Sequence, residues 1–275
     1  MKRKQVNWPA TIFLIIGSLL VLFPLYITVV TAFKTPQELA NNSVLALPGN
    51  FSFDNFREAI RLTGFFDALK NSLIITIPTV ILTVLFHSIV SYVIARNMHK
   101  KTVKLIYYYI VSAMFVPFSI LMLPLVRQTA AWGIDDKYGL IAIYIVLNLA
   151  FNTFLYVGFI RSIPTDLEEA AVIDGASEWQ IFWKVIFPLL TPMNATVAII
   201  TTLGTWNDFM LPLVILGGKR DLATIPLTQY IFESQFSTNY TLAFASYLLA
   251  MLPMIIVYVL AQKWIISGVT QGALK

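Results

Sequence analysis

Apolar residues in this chain come in long runs, separated by short polar stretches that gather most of the charge. Six runs reach the roughly 17–25 residues that a helix needs to cross a bilayer. They cover about 11–33, 71–95, 105–126, 138–160, 190–216 and 242–266. Pro24, Pro78, Pro117, Pro124, Pro212 and Pro253 lie inside them. They read as kinks rather than breaks, because neighbours in a helical bundle can satisfy the freed carbonyls. Barrel strands are only about ten residues long and alternate in polarity, so they do not fit this pattern. The first run is too long for the apolar part of a signal peptide, which spans roughly 7–15 residues, and reads as an uncleaved span. The pattern predicts an all-α membrane protein with six transmembrane helices.

Composition agrees: 58% of residues are hydrophobic, 12% are charged and the mean hydropathy is +0.76. A soluble chain carries about a quarter charged residues. The net charge of +5 is gathered beside the apolar runs, which argues against a nucleic-acid partner and for a lipid bilayer. Lys2, Arg3 and Lys4 precede the first run, and Arg96, Lys100, Lys101 and Lys104 lie between the second and third. The positive-inside rule makes that side cytoplasmic. Residues 1–10 are then a cytoplasmic N-terminus, 11–267 the membrane domain, 34–70 an external segment, 161–189 a cytoplasmic loop and 268–275 a cytoplasmic tail. Cysteine is absent, which excludes disulfides and thiolate chemistry, and His87 and His99 are too few and too separated for a His-rich metal site.

The 161–189 loop has its own punctuation. Thr165 and Glu168 have the spacing of a capping box, so a helix should start near Asp166. Asp166, Glu168 and Glu169 in its first turn oppose the positive end of the helix dipole. Leu167, Ala170 and Ala171 give a short apolar face, and Gly175 is a natural stop. Ser177 and Gln180 have the spacing of a second box, after which Trp179, Phe182, Trp183 and Ile186 recur at helical spacing. On spacing alone two readings stay open. The loop is a structural connector with its tryptophans at the headgroup level, or it is a surface on which another protein docks.

The stretch "EAAVIDGASEWQIFWKVIFPLLTP" resembles the cytoplasmic EAA loop of ATP-binding-cassette (ABC) importer permeases. That loop reads EAA, three residues, Gly, nine residues and I-x-L-P. Glu169-Ala170-Ala171, Gly175 and Val185-Ile186-Phe187-Pro188 stand at those places, with Val and Phe as conservative departures. Ile163-Pro164, Asp174-Gly175-Ala176 and "TWNDFMLPL" at 205–213 resemble the sugar-importer branch. The ending "GVTQGALK" is similar to the tail of the maltose-type second permease. The resemblance covers nearly the whole chain and implies a type I ABC importer (MetI-like) permease fold with a cytoplasmic coupling-helix hairpin. It implies a bacterial cytoplasmic membrane setting with both termini inside. The implied partners are a homologous second permease subunit, two cytoplasmic ABC ATPase subunits and an extracellular or periplasmic solute-binding protein. The implied cargo is a sugar or oligosaccharide; a polyol, glycerol phosphoester or peptide would keep the family and change the solute. A membrane scaffold without transport is the reading of a different class.

No G-x-x-x-x-G-K-[ST] stretch is present, and "GGKRD" at 217–221 has the wrong spacing. The chain therefore reads as a non-enzyme that binds no cofactor itself, with ATP and Mg held by the partner ATPase subunits. The resemblance places ATPase coupling on Asp166, Leu167, Glu169, Ala170, Ala171, Asp174, Gly175 and Ala176. It adds a tail contact with the ATPase at Thr270, Gln271 and Gly272, against which stands a simple solvated end. For the substrate pathway, polar groups inside apolar runs are the candidates. Tyr144, Asn148 and Asn152 form one stripe at i, i+4 and i+8, and Asn207 adjoins Asp208. In a continuous fifth span Asp208 lies about 12 Å inside the outer boundary. Ordinary hydrogen bonding between helices is the alternative role for these side chains.

Overall fold

The computed structural model describes residues 7–217, 219–236 and 239–273, with the backbone alone for 231–236, 260–261 and 263–273. All regular elements among the described residues are helical. Those used below are α1 (Trp8–Ala32), α2 (Pro36–Asn41), α3 (Asp54–Thr63), α4 (Phe65–Arg96), α5 (Lys101–Phe115) and α6 (Phe118–Trp132). They continue with α7 (Lys137–Ile160), α8 (Asp166–Ile173), α9 (Glu178–Leu189), α10 (Thr191–Asn207), α11 (Met210–Leu216), α12 (Ile225–Phe236) and α13 (Tyr240–Ala273). Among the described residues, α1, α4, α7 and the Tyr240–Val259 part of α13 are long and apolar enough to cross a bilayer. Two bent pairs, α5 with α6 and α9 with α10, raise the number to six if each pair makes one span.

The third and fifth spans expected from hydropathy are not continuous helices. α5 and α6 meet at 102°. Val116 and Pro117 between them are extended, with ψ of 114° and 135°. Proline drives the preceding residue out of the helical region, and its own amide cannot donate. Pro117 is therefore a break, whereas Pro24, Pro78, Pro124 and Pro253 lie inside helices as expected. The expected 190–216 span stops at Asp208, which is extended at ψ 128°, and resumes as α11.

The chain forms two compact units, Met1–Phe66 with Thr228–Ile256 and Asp67–Leu227 with Val257–Lys275. In the first, α1 exposes Phe13, Leu14, Leu20 and Val21, side chains suited to lipid rather than water. Beyond α1 the chain folds back on itself. Lys34 is buried and its Nζ donates to the carbonyls of Ser43 at 2.9 Å and Val44 at 3.1 Å. Asn55 Nδ2 donates to the carbonyls of Ala32 and Lys34, both at 2.8 Å. Phe33 meets Phe51 and Phe53 edge to face and Phe56 at a tilt. Thr35 and Glu38 form a full capping box at the start of α2, and Glu38 Oε1 also accepts from the Gly49 amide at 3.0 Å.

The Thr35 backbone donor, with Gly49 helping, holds the Glu38 carboxyl below its ordinary value. A depressed folded pKa gives stability that is fully present above the unfolded value of about 4.3 and is lost as pH falls through the folded one. Glu38→Gln should therefore melt at a lower temperature than the wild type near neutral pH. The gap should close as the pH falls below about 4, a trend that thermal scans in detergent would read.

In the second unit α4, α7, α9 and α11 carry two apolar clusters. One joins Ile75, Leu140, Ile141, Tyr144, Leu211 and Leu216; the other joins Ile94, Tyr156, Ile160, Ile181, Phe182 and Ile186. Between them His87 is buried, its Nε2 3.1 Å from the Ile145 carbonyl and its Nδ1 3.2 Å from Asn152 Nδ2. A neutral ring with the proton on Nε2 satisfies both contacts. His87 is thus a packed, hydrogen-bonded residue of α4.

Candidate functional site

The hairpin follows α7. α8 begins at Asp166, as the acidic first turn predicts, but the capping box expected at Thr165 and Glu168 does not form. Thr165 is itself helical, at φ −71° and ψ −22°, and its side chain caps nothing. Glu168 is engaged elsewhere. Its Oε1 accepts from Arg96 Nε at 2.7 Å and its Oε2 from the Tyr92 hydroxyl at 2.8 Å. A charge-assisted bond to a guanidinium is about twice as strong as a neutral one, so it outcompetes the local amide. Arg96 Nη2 also donates to the Ile163 carbonyl at 3.2 Å. Sequence spacing could not show this contact, because Arg96 and Glu168 are 72 positions apart.

Gly175 ends α8 at φ +82°, a region where a side chain is strained. The Gly175 amide donates to the Val172 carbonyl and the Ala176 amide to the Ala171 carbonyl, both at 2.9 Å. Together these make a Schellman cap, which satisfies two of the last carbonyls of the helix. Two residues later Ser177 and Gln180 form the expected second capping box.

The buried and exposed sides of α8 differ in part from expectation. Ala171 and, beyond the corner, Ala176 pack against the Ile160 and Phe182 cluster. Leu167 and Ala170 remain exposed, so the expected apolar face is split. The reason is geometric: Glu168 and Ala171, three apart, share the side drawn to the bundle. The opposite side presents Asp166, Glu169, Ala170 and Ile173, with Ile173 86% exposed. Ile173 is not among the residues that the sequence pattern singles out, although an apolar residue beside the Asp174-Gly175 corner is its signal. Asp174 and Gly175 are exposed at that corner.

α9 contains a π-helical turn at Phe182–Ile186. Ile181 and Ile186, five apart, are therefore both buried, along with Phe182 and Leu190, whereas Trp179 is exposed. Of the stripe expected at 3.6-residue spacing, Phe182, Trp183 and Ile186 lie in or against the cluster, and Trp179 alone stays exposed. Phe182 lies 5.4 Å from the Tyr92 ring and 4.9 Å from Trp183, centre to centre. α10 then leaves at 73°.

The intramembrane candidates separate. Tyr144, Asn148 and Asp208 line one cavity of about 270 Å³, with Phe118, Leu147 and Thr205. The Tyr144 hydroxyl donates to Asp208 Oδ2 at 2.9 Å. Asp208 Oδ1 accepts from the Met210 amide at 2.9 Å, so the carboxylate caps α11. It stands at a helix break, and the depth expected for a residue within a continuous span does not apply. Asn148 donates to the Tyr144 carbonyl of its own helix at 2.8 Å. Asn152 is not in the cavity but on His87, and Asn207 is exposed and donates to the Leu203 carbonyl. For these two the interhelical or local bonding role stands. The side chains of Thr270 and Gln271 and the surroundings of Gly272 lie outside what is described.

Residues 87–271, which include the hairpin, its anchor on Arg96 and the cavity, match the family model of the binding-protein-dependent transport system inner membrane component. The chain belongs to this family of transport permeases. It is 38% identical to the multiple sugar-binding transport system permease protein MsmG of Streptococcus mutans, covering 100% of this chain and 99% of that one. It is 34% identical to the melibiose/raffinose/stachyose import permease protein MelC of Bacillus subtilis, covering 92% and 91%. A solved bacterial ABC transporter involved in import of the acidic polysaccharide alginate has a chain of the same fold. The TM-score is 0.79 at 22% identity, over 94% of this chain and 95% of that one. Family membership makes the chain an inner membrane component of a binding-protein-dependent system, in agreement with the resemblance seen in the EAA-like loop.

Proposed function

We propose that this permease is one of two membrane subunits of an ATP-driven importer for a sugar or oligosaccharide. The observation that carries this is the rigid mounting of α8. Its inner side is tied to the bundle through Glu168 and Ala171, and its outer side is left bare. A helix so held transmits a push from a docked partner into the spans on either side of it. Support for the cargo comes from full-length relatives named for multiple-sugar and melibiose/raffinose/stachyose transport.

In this reading the loop 161–189 and both termini are cytoplasmic and 34–70 is external. α8 docks in a cleft on one of two ABC ATPase subunits, with Asp166, Glu169, Ala170 and Ile173 at the contact and Leu167 at its edge. Asp174 and Gly175 form the corner, and Ala171 and Ala176 seat the hairpin on the bundle. The ATPase subunits bind ATP and Mg and perform the hydrolysis; this chain binds neither and is not an enzyme. A solute-binding protein delivers the cargo outside, and a homologous permease completes the pathway. The tail at Thr270 to Gly272 adds a second contact with the ATPase subunits.

The cavity of Tyr144, Asn148 and Asp208 contributes to the path. A carboxylate beside an aromatic ring suits a sugar, whose hydroxyls donate and whose ring face is apolar. Asp208→Asn keeps an oxygen for the α11 cap but removes the charge. It should leave thermal stability within about 1 kcal/mol while raising the sugar KM about tenfold, the loss of roughly 1.4 kcal/mol from a charge-assisted bond.

The test is reconstitution of the complete transporter in vesicles with labelled raffinose, stachyose, glycerol phosphate or a tripeptide outside. ATP-dependent uptake of a sugar that needs the binding protein is expected. Uptake of glycerol phosphate or tripeptide alone would change the cargo. A complex that assembles with its ATPase subunits but moves no solute would leave the scaffold reading in its place.

A further inference from the structure

Chain connectivity ties the hairpin to α7 on one side and α10 on the other. A third tie is made by side chains alone. Tyr92 and Arg96 stand at i and i+4 on the last turn of α4, so both point to the same side. Between them they hold both oxygens of Glu168, at 2.8 Å and 2.7 Å. Arg96 adds the carbonyl of Ile163, just ahead of α8. Tyr92 also packs its ring on Phe182 of α9. The end of α4 thus grips the approach to α8, α8 itself and the second half of the hairpin. The Arg96 and Glu168 side chains are only 16% and 15% exposed, so water and salt screen this pair far less than a surface pair.

We propose that Tyr92, Arg96 and Glu168 form a latch that makes α4 a third transmission element. The latch sets the angle at which α8 meets its partner and carries the displacement of α8 directly into α4. This rests on the importer reading above. It assigns no docking role to Glu168, whose carboxylate faces the bundle; Glu168 and Arg96 are positioning residues. The absence of a side-chain cap at Thr165 fits the same division of labour, because the anchor at the start of α8 comes from α4 instead.

The experiment uses the complete transporter in vesicles, with labelled raffinose as the cargo. Uptake and ATP hydrolysis are counted in the same preparation, and amide exchange is followed over residues 166–174. Glu168→Ala and Arg96→Ala should each keep the ATPase subunits bound, speed exchange in α8 at least tenfold and raise the ATP used per sugar at least fivefold. The double variant should be no worse than either single one, since one bond network is lost in all three. Tyr92→Phe removes one hydroxyl without emptying the packing, and it should give a smaller change in the same direction should an alanine variant fail to fold.

Unchanged exchange over 166–174 in the folded variants would overturn the latch. So would faster exchange with an unchanged ATP-to-sugar ratio, or single effects that add in the double variant. A wild-type complex that takes up no solute, or that lacks bound ATPase subunits, would instead overturn the importer reading on which the latch depends. The exchange result would still report whether the three side chains hold α8.

Discussion

Replacing Gly175 by proline should reduce uptake by the reconstituted transporter at least tenfold while ATP hydrolysis continues. The glycine sits at φ +82°, and proline is confined near φ −65°. Proline would also delete the amide that donates to the Val172 carbonyl, one of the two bonds that cap α8. The corner between α8 and α9 would then have to open, changing the angle at which a push on α8 reaches the bundle. Gly175→Ala is the control. A Cβ at this place meets nothing within 4 Å, so alanine brings only the backbone strain of roughly 1–2 kcal/mol. It should give an intermediate loss. Parallel measurement of sugar uptake and phosphate release in one vesicle preparation checks both variants. Normal uptake with Gly175→Pro would remove the mechanical role of the corner.

The second large effect is expected from the bare side of α8. Ile173→Asp and Glu169→Lys change side chains that touch little in this chain, so melting should move by no more than about 0.5 kcal/mol equivalent. Docking is another matter, because an apolar side chain buried on binding contributes about 1.5–3 kcal/mol. Reversing the charge of Glu169 opposes the cation expected on the ATPase subunit. Each variant should lower co-purification of the ATPase subunits tenfold or more, with uptake falling in step. A pull-down through the permease, paired with a thermal scan, separates the two quantities. Loss of ATPase binding together with gross unfolding would contradict the assignment of these residues to the outer face.

The parts of this account that depend on local chemistry were readable in the sequence. The corner at Gly175, the box at Ser177 and Gln180 and the start of α8 at Asp166 all stand where residue type and spacing put them. So do four of the six apolar spans. What the sequence hid were contacts decided by a distant partner and departures of the backbone from a regular helix. Glu168 has a perfect local use in a capping box with Thr165, but Arg96, 72 residues away, offers it a stronger bond. Hydropathy cannot tell a continuous helix from two bent ones, so the breaks at Pro117 and Asp208 were hidden inside runs of suitable length. Phe182, Trp183 and Ile186 keep the expected buried side of α9, and the π turn adds Ile181 to it, which no 3.6-residue pattern anticipates. Among the intramembrane polar residues, spacing placed Asn152 with Tyr144 and Asn148. The structure gives it to His87, because a buried imidazole needs a partner more than an open cavity does.

The central claim is that α8 is where this permease receives work from an ATPase. This chain has no cysteine, so a single introduced thiol is the only one in it, and the label is attached to the permease before assembly. Ile173→Cys carrying a short photoactivated cross-linker should be tested in the assembled transporter, with Trp132→Cys, outside the hairpin, as the comparison. Light should join the label at residue 173 to an ATPase subunit, and the yield should change when ADP is trapped with vanadate after hydrolysis. No adduct with an ATPase subunit from residue 173, in a complex that still imports sugar, would contradict the account.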